Sequence, residues 1–454
     1  MSNFDSVSLV QKKRTNCCTN WGNEMPAEFV RPHVAQIGYR SGELFVEQVP
    51  VRAIAEEFGT PFYAYSATAV RERIEMLRDA LKPADVRICY AMKANNNLSL
   101  LQILAGLGCG MDIVSGGELE RALAAGVPAQ RIVFSGVGKS KQEIKAAVAA
   151  GVGQLNVEST EELELIAKVA RNGGKKAPVV LRVNPDVDAA THPKITTGTR
   201  HNKFGIPYES ALAVYAKASK LSEIDCLGVA VHIGSQITDI QPFRRTFERV
   251  AELVGRIRAQ GNTIARLDLG GGLGVSYDGG SGIDIATYGA NLRETLGDCG
   301  CELTIEPGRL VVAEAGILVS EVLYNKAQGG EKFTIVDAGM NDLMRPALYD
   351  ARHPVWPVAE PAAEAVAEPC HIVGPVCESS DTFGKYEQLP PLASGDLIAL
   401  GVARAYCAVM ASSYNARPLV QEILIEGDRY RLARRRQPVA AMLKLEQAGE
   451  WIAP

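Results

Sequence analysis

The sequence contains no uninterrupted run of about 18 apolar residues, the length that a transmembrane helix requires. Its N-terminus lacks a basic segment followed by an apolar core, so no secretory signal peptide is predicted. The formal net charge is only -4, and no long run of one sign occurs. This balance gives no reason to expect nucleic acid or an anionic membrane as a partner. We therefore expect a cytoplasmic protein.

Cysteine is sparse, with ten residues in a chain of 454. This number is too small for a disulfide scaffold, and neither Cys17-Cys18 nor Cys299-Gly300-Cys301 has the paired spacing of a zinc site. We therefore expect reduced thiols and no metal. Residues 1–40 are mostly polar and irregular, which predicts a loosely ordered N-terminal extension.

From residue 86 the chain alternates short apolar runs with amphipathic helical stretches. Gly117–Ala125, Lys141–Ala150 and Glu161–Arg171 have the helical pattern, and Ser159 is a suitable N-terminal cap for the last of them. Eight strands, each followed by a helix, predict a (β/α)8 barrel, with an open doubly wound sheet as the alternative. The eight runs are Val86–Ala91, Cys109–Val114, Arg131–Ser135, Gln154–Val157, Pro178–Asn184, Cys226–Ile233, Ile264–Leu269 and Cys301–Glu306.

The pattern changes after Arg309, where strand-like runs are separated by Gly and Pro turns without regular helices. It predicts a C-terminal all-β domain, either a barrel or a sandwich, in which Trp356–Glu368 is an exposed loop. The predicted division is an extension over residues 1–40, strands joining the β-domain over 41–65, the barrel over 66–310 and the β-domain over 311–454. The C-terminal strand-like runs are Lys332–Asp337, His371–Val376, Asp396–Leu400, Val420–Ile425 and Arg429–Ala433.

The active site of such a barrel lies at the C-terminal ends of its strands, and unusual polar residues gather there. Lys93 follows the first strand, where burial would lower its pKa and free an amine that can form a Schiff base with an aldehyde cofactor. The Gly270-Gly271-Gly272 loop exposes backbone N–H groups that can hold a phosphate. The other candidates are Asp112, Ser115, Arg182, His232, Ser235, Glu306 and Arg309.

These side chains have the chemistry of a site for a phosphate-bearing aromatic aldehyde. Ser235 and Arg309 add phosphate donors, and Glu306 can pair with a protonated ring nitrogen, which makes the ring an electron sink. His232 can stack on the ring, and Arg182 can keep Glu306 ionised. Each residue also has a structural interpretation. Arg182 and Glu306 can form a structural ion pair, His232 can be a core histidine, and the glycines can simply form a tight loop.

Several segments, in order from about residue 42 to about residue 420, resemble one family. Four resemble the motifs of the alanine-racemase-like (fold type III) decarboxylases that use pyridoxal 5'-phosphate (PLP): Tyr90–Asn95, His232–Gln236, Gly270–Gly272 and Glu306–Arg309. Two more closely resemble motifs of the diaminopimelate decarboxylase family: Asp337–Tyr349 and Gly374–Asp381.

This resemblance implies a PLP-binding barrel, a C-terminal β-domain and a homodimer with active sites at the subunit interface. It implies that Lys93 carries PLP and that Cys377 of the partner subunit is the proton donor. The implied cofactor contacts are Lys93, Arg182, His232, Ser235, Gly270, Gly271, Gly272, Glu306, Pro307, Gly308, Arg309 and Tyr406. The implied substrate contacts are Arg309, Arg345, Tyr349, Glu378 and Tyr406.

The implied reaction is PLP-dependent decarboxylation of meso-2,6-diaminopimelate to L-lysine and CO2, the last step of lysine biosynthesis. Diaminopimelate carries a distal carboxylate that Arg345 can bind bidentately and an ammonium that Glu378 can accept. A substrate with only an amine would leave the buried arginine unpaired, at a cost of ~1–3 kcal/mol. The alternatives are a related decarboxylase acting on ornithine, lysine or a carboxylated polyamine, a non-catalytic PLP-binding protein, and an amino-acid racemase on the same barrel.

Two positions depart from the family pattern. Arg404 stands where the family has a glycine before Ala-Tyr, and Ser413 stands where it has an asparagine near Tyr414. The loop over Asp188–Phe204 has the length expected of a lid that closes over the substrate.

Overall fold

A computed structural model describes residues 30–34, 36–189, 197–198, 202–362, 364–446 and 449–452 of the chain. Cys17 and Cys18 lie outside the described residues, and so does most of the segment predicted to be a lid. Of the predicted N-terminal extension, the described part includes the strand Ile37–Arg40, which pairs with Glu43–Val46. The domain boundaries given above stay predictions.

Eight parallel strands form a closed barrel, which confirms the predicted fold class and excludes the open sheet. The sheet closes because the last strand pairs with the first, with Leu303 opposite Val86 and Ile305 opposite Ile88. The runs are almost continuously apolar because both faces of a parallel barrel are buried. The barrel strands are Val86–Ala91, Gly110–Ile113, Ile132–Phe134, Gln154–Val157, Ala177–Asn184, Ile224–Ala230, Arg266–Asp268 and Glu302–Ile305.

Amphipathic helices pack around the barrel and confirm the three that the pattern predicts. The predicted cap forms, because Ser159 Oγ accepts a hydrogen bond from the Glu162 N–H at 3.1 Å. The helix Lys141–Ala150 begins with a capping box between Ser140 and Glu143. The helices that follow the first seven strands are Leu98–Gly106, Gly116–Ala124, Lys141–Ala150, Thr160–Gly173, Ala211–Ala218, Gln241–Ala259 and Ile285–Leu296.

The expectation that a regular helix follows every strand is wrong for the eighth. That strand leads only into the four-residue helix Arg309–Val312. Its place in the outer layer is taken by Ala67–Leu81, which precedes the first strand and packs between Ile285–Leu296 and Leu98–Gly106. The chain therefore leaves the barrel immediately after the turn that carries Glu306 and enters the β-domain.

The C-terminal part forms a mixed β-sheet. Phe62–Ser66, which precedes the barrel, lies inside this sheet between Gly316–Gln328 and Gln421–Glu426. This strand pairs with Gln421–Glu426, and the Gln421 side chain donates a hydrogen bond to the Phe58 carbonyl at the end of the helix Val51–Phe58. The remaining described β-domain strands are Glu331–Val336, Val355–Pro357, Glu368–Val373, Thr382–Leu389, Leu397–Leu400 and Arg429–Arg434, and the short helices are Arg345–Tyr349 and Val439–Leu443. Two further strands, Glu43–Val46 and Val49–Pro50, complete a small separate sheet.

The prediction of an exposed loop from Trp356 is wrong at its start. Trp356 lies in a strand, is fully buried, and donates its indole N–H to the Val30 carbonyl at 2.8 Å. A Cβ at Gly401 would lie 2.3 Å from the Trp356 ring, so only glycine fits beside it. The Pro and Ala residues that suggested a loop follow this anchored aromatic residue.

None of the described helices combines the length and the apolar character that a membrane span needs. All eight described cysteines are free thiols.

Candidate active site

Lys93 lies in the single turn Met92–Ala94 at the C-terminal end of the first barrel strand. Its Nζ is 3.0 Å from Oδ2 of Asp112, which ends the neighbouring strand. The Asp112 side chain is fully buried, and within the described part of the chain its Oδ1 has no hydrogen-bond partner. The Asp112 carboxylate therefore orients the Lys93 amine at the C-terminal end of the barrel.

The expectation of a lowered pKa for Lys93 is wrong. Burial does lower the pKa, but the opposing charges of Asp112 and Glu306 outweigh it and raise the pKa above its usual value. Lys93 is therefore an ammonium group paired with Asp112. It must transfer a proton before it can act as a nucleophile.

The glycine loop after the seventh strand has only part of the donor set that its sequence suggests. The Gly270 N–H donates to Asp268 Oδ1 at 3.0 Å, and the Gly271 N–H donates to His232 Nδ1 at 3.2 Å. Within the described residues, only the Gly272 N–H of the three has no acceptor. Of the three backbone N–H groups expected to bind the phosphate, only that of Gly272 is therefore available in the described part of the chain. The N–H groups of Gly270 and Gly271 instead hold the shape of the loop.

These glycines are required by close approach as well as by conformation. Gly270 and Gly272 have φ angles of 67° and 105°, which side chains rarely adopt. A Cβ at Gly271 would lie 2.2 Å from the Glu306 carbonyl oxygen. The loop can therefore lie directly against the turn that follows the eighth strand.

His232 is neutral and its tautomer is defined by the glycine loop. Its Nδ1 accepts the Gly271 N–H, so the proton of the neutral ring lies on Nε2. Burial, together with the cations Lys93 and Arg182, lowers the pKa of His232 well below its usual value. A neutral imidazole in this position suits the predicted role of stacking on an aromatic ring.

Glu306 is buried among other carboxyl groups. Burial and the charges of Asp112 and Asp268 raise its pKa well above the usual range, and Lys93 opposes them. Burial likewise raises the pKa of Asp268 to about 6. The Asn156 amide lies 3.5 Å from both carboxyl groups, from Glu306 Oε1 and from Asp268 Oδ2. An ionised Glu306 therefore needs a cation beside it. The protonated ring nitrogen of a cofactor would be such a cation.

The predicted ion pair between Arg182 and Glu306 is wrong. Arg182 Nη1 binds Glu158 Oε1 at 2.6 Å, and Glu158 follows directly on the adjacent fourth strand. The cation also lies over the Phe204 ring, 4.9 Å from its centroid. Arg182 is near enough to His232 to lower the pKa of the histidine. The contact of Arg182 with the cofactor stays a prediction. Arg182 does not hold Glu306 ionised.

Because this pair is buried, Arg182→Met should destabilise the protein by about 3–5 kcal/mol, since it leaves Glu158 charged and unpaired. The double variant Arg182→Met/Glu158→Gln should recover part of that loss. Urea unfolding of the three proteins measures both effects. Equal unfolding free energies for the single variant and the parent protein would contradict the assignment.

Arg309 and Arg345 both lie near the ring of Tyr277. Arg309 Nη1 donates to the Tyr277 hydroxyl at 2.6 Å, and its Nη2 donates to Ser235 Oγ at 3.2 Å. The Arg345 guanidinium lies 4.8 Å from the centroid of the Tyr277 ring. Both arginines are only 6 % exposed, and neither forms an ion pair with a carboxylate of the described residues. Two buried cations without an anion form a binding site for one.

The turn Glu306-Pro307-Gly308-Arg309 is fixed to the strand that carries the lysine. The Ala91 N–H donates to the Pro307 carbonyl at 3.1 Å, and a Cβ at Gly308 would lie 3.1 Å from the Cβ atoms of Ala91 and Ala94. The predicted cofactor residues of the first and eighth strands therefore lie side by side.

Tyr406 joins this group from the β-domain. Its ring faces the Arg309 guanidinium at 4.9 Å, and its N–H donates to the Ala94 carbonyl at 2.7 Å. Arg404, which replaces the family glycine, points away. It is fully buried, lies over the Tyr65 ring at 4.4 Å and donates to the Ser66 carbonyl at 3.1 Å. The Arg404 side chain therefore packs against Tyr65 and Ser66.

The structure does not bring every predicted site residue to the barrel rim. Cys377 and Glu378 are exposed on a loop of the β-domain, where Asn415 Oδ1 accepts the Cys377 N–H at 3.0 Å. Glu378 lines a groove with Met344 and Tyr414. Tyr349 ends the helix Arg345–Tyr349 and is half-buried.

Sequence reasoning missed Tyr277 and His353, and it gave Asp268 no role of its own. Tyr277 lies five positions after the glycine loop, and that proximity was a usable signal. Asp268 ends the seventh strand immediately before the same loop. His353 stands in no motif or periodic pattern, and only the structure shows that it binds Arg345.

Comparison with known proteins identifies the family. Residues 67–313 match the family model described as "Pyridoxal-dependent decarboxylase, pyridoxal binding domain". The chain is 47% identical to a diaminopimelate decarboxylase of Pseudomonas aeruginosa, over 92% of this chain and 99% of that protein. It is 46% identical to one of Neisseria meningitidis serogroup B, over 89% of this chain and 97% of that protein. The chain belongs to the diaminopimelate decarboxylase family.

Solved structures agree with this membership. The diaminopimelate decarboxylase of Helicobacter pylori complexed with L-lysine superimposes with a TM-score of 0.84 at 42% identity, covering 87% of this chain and 98% of that chain. The family domain that matches this chain binds pyridoxal, and its residues include Lys93, His232, Gly272 and Glu306. The diaminopimelate decarboxylase fold therefore places the observed polar cluster in its cofactor-binding domain.

The residues present fit PLP. Arg309, Ser235 and the Gly272 N–H form a cation, a hydroxyl and an amide for a phosphate. Glu306, whose ionised form needs a cationic partner, suits a protonated pyridine nitrogen. The Lys93 amine lies at the C-terminal rim of the barrel, where it can react with the aldehyde. The phosphate, the ring nitrogen and the aldehyde of the cofactor thus each have a chemically matched partner.

Proposed function

We propose that this protein decarboxylates meso-2,6-diaminopimelate to L-lysine and CO2, the last step of lysine biosynthesis. Family membership at 42–47% identity with curated diaminopimelate decarboxylases supports the reaction class. The observation that carries the substrate assignment is the buried Arg345, which lies against Tyr277 and has no carboxylate partner among the described residues. A substrate of this site must bring an anion in addition to its reacting amino acid.

PLP, when bound, supplies an aldehyde that captures the substrate amine and a ring that accepts the electrons released as CO2 leaves. The chain's own residues prepare these steps. Asp112 orients Lys93, which would bind the aldehyde, and neutral His232 would cover the ring face. Glu306 would pair with the ring nitrogen and keep it protonated, which would maximise the electron-accepting capacity of the ring.

The distal end of the substrate is recognised by charge. Arg345, with Arg309 beside it, binds the distal carboxylate, and Tyr349 lies on the same short helix as Arg345. Glu378 accepts the distal ammonium. An amine-only substrate would leave a guanidinium buried and unpaired, which disfavours ornithine, lysine and arginine as substrates.

The positions of Cys377 and Glu378 support a homodimer. Both side chains are exposed on a loop beyond the β-domain sheet, where they are available to the site of a second copy. In this proposal Cys377 of the partner subunit protonates the substrate carbon after CO2 has left. The free thiols of the described cysteines are compatible with a reducing, cytoplasmic location.

The test is CO2 release by the PLP-loaded protein from meso-diaminopimelate, beside L-lysine, L-ornithine and L-arginine at equal concentrations. We expect kcat/KM for diaminopimelate to exceed that for each amine-only substrate by at least about 100-fold, because only diaminopimelate pairs with Arg345. Preferred turnover of an amine-only substrate would assign the chain to a related decarboxylase. No turnover of any substrate by the loaded protein would favour a non-catalytic PLP-binding protein.

A further inference from the structure

His353 is a buried histidine that no step of the proposed reaction uses. It is only 1 % exposed and lies eight residues after Arg345, beyond the short helix that Arg345 begins. Its Nε2 is 2.9 Å from Arg345 Nη1, and its Nδ1 is 2.9 Å from the Gly401 carbonyl oxygen. The imidazole therefore connects the arginine to the backbone of the β-domain.

These two contacts define the protonation state of the ring. A carbonyl oxygen can only accept a hydrogen bond, so His353 Nδ1 carries a proton and donates it to Gly401. A guanidinium can only donate, so Nε2 must be unprotonated and accept from Arg345. Only the neutral Nδ1–H tautomer satisfies both contacts.

The surroundings maintain this neutral form. Burial, with the positive charges of Arg345 and Arg309, lowers the pKa of His353 to about 3. The Tyr277 ring meets the imidazole edge-on, with centroids 5.4 Å apart. The Tyr386 hydroxyl donates to the His353 backbone carbonyl at 2.8 Å, which anchors the residue from the strand Thr382–Leu389.

We infer that His353 is a positioning residue that determines substrate specificity by aiming the Arg345 guanidinium at the distal carboxylate of the substrate. This inference rests on the proposed function, since it assigns Arg345 to that carboxylate. Arg345 has no carboxylate among the described residues to orient it, so an acceptor that carries no charge is needed. A neutral imidazole supplies that acceptor, whereas an aspartate or glutamate would neutralise the cation and compete with the substrate.

Tyr277 completes the arrangement from the barrel side. Its ring lies against Arg345, and its hydroxyl accepts from Arg309. Arg345 is thus held by an aromatic face on one side and by His353 through one nitrogen. The Cys407 thiol is also a hydrogen-bond partner of Arg345, and the N–H groups that remain are the ones that can meet an anion.

The inference is tested by comparing binding of meso-diaminopimelate and of 1,5-diaminopentane, which has the two amines but no carboxylate. Calorimetry on holoprotein reduced with borohydride measures both affinities without turnover. His353→Phe preserves the ring volume but removes the acceptor. We expect it to weaken diaminopimelate binding about 10- to 100-fold while changing the 1,5-diaminopentane affinity less than about twofold.

Two variants separate positioning from simple loss of stability. His353→Gln keeps an amide donor and acceptor and should recover part of the discrimination. Tyr386→Phe removes a buried hydrogen bond to the same residue, so it should lower the melting temperature without changing the ratio of the two affinities. The cofactor absorbance, measured on each protein before reduction, should be the same in all of them because His353 does not contact the predicted PLP residues.

The outcomes also separate this inference from the proposed function. Parent protein that binds diaminopimelate selectively but releases no CO2 would overturn the function and leave the role of His353 in place. Equal discrimination by the parent protein and His353→Phe would overturn the inference even if CO2 is released. A parent protein that does not distinguish diaminopimelate from 1,5-diaminopentane would overturn it as well.

Discussion

Lys93→Ala should abolish both decarboxylation and the imine absorbance of the PLP-loaded protein. The variant lacks the amine that pairs with Asp112 and, within the described residues, is the only lysine amine among the predicted PLP contacts. Loss of a covalent catalytic group lowers kcat on the order of 10⁴-fold or more. Absorbance spectra after adding PLP and the rate of CO2 release measure the two effects. A Lys93→Ala protein with parent-like turnover would refute the assignment of the cofactor lysine.

A second substitution at this position separates chemistry from folding. Lys93→Arg preserves the positive charge opposite the buried Asp112 carboxylate, so it should retain the stability of the parent protein. It should nevertheless be inactive, because a guanidinium does not form a stable Schiff base. Lys139→Met is the matched control, since Lys139 is a buried lysine paired with Glu162 outside the predicted cofactor site. That variant should lose stability but keep the imine absorbance.

The inactive lysine variant also tests whether sites are shared between subunits. If Cys377 of the partner subunit is the proton donor, mixtures of Lys93→Arg and Cys377→Ala proteins should regain activity. Random exchange of equal amounts makes half of the dimers mixed, and each mixed dimer has one complete site, so about a quarter of the parent activity is expected. Mixtures that stay inactive after verified subunit exchange would exclude a shared site.

Glu306→Gln should lower kcat by about 10²- to 10³-fold. The carboxylate is the only acidic group proposed to pair with the ring nitrogen, and an amide cannot keep that nitrogen protonated. Removal of the negative charge should also change the cofactor absorbance, because the protonation state of the ring changes. KM should change much less, since Glu306 does not contact the distal end of the substrate.

The control for this variant is another buried glutamate outside the barrel rim. Glu47 accepts hydrogen bonds from Ser66 and Thr68, so Glu47→Gln should cost stability while leaving the cofactor spectrum unchanged. Asp268→Asn is informative beside it. It removes one of the two neighbouring carboxylate charges that raise the pKa of Glu306, so Glu306 should then ionise more easily. If Glu306→Gln keeps both the parent spectrum and kcat, Glu306 is not the partner of the ring.

The barrel could be predicted from the sequence because its strands have a strong local signal. Strands buried on both faces must be apolar along their whole length, and the intervening helices have an amphipathic period. Ser159 shows that even a helix start could be located, since a capping residue acts on the next three residues alone. The position of the helix Ala67–Leu81 could not be predicted in the same way. Its pattern indicates a helix but not which neighbours it packs between.

The errors in the site have a common physical cause. Arg182 was expected to pair with Glu306, but Glu158 on the adjacent strand is closer. Lys93 was expected to have a lowered pKa, but the carboxylate of Asp112 outweighs the effect of burial. In both cases the partner that decides the charge lies on another element of the fold. Trp356 is a further example, because its burial depends on the Val30 carbonyl that accepts its indole N–H and on the missing side chain of Gly401.

The sequence by itself determined the fold class, the family and the set of residues at the strand ends, because motifs and hydrophobic patterns are local properties of the chain. Only the tertiary structure decided which groups meet. It showed that Arg309 and Arg345 share the Tyr277 ring, that Gly272 keeps a free N–H within the described residues, and that His353 binds Arg345. Charge, tautomer and specificity depend on distances of a few ångströms between residues far apart in sequence, and those distances exist only in the folded chain.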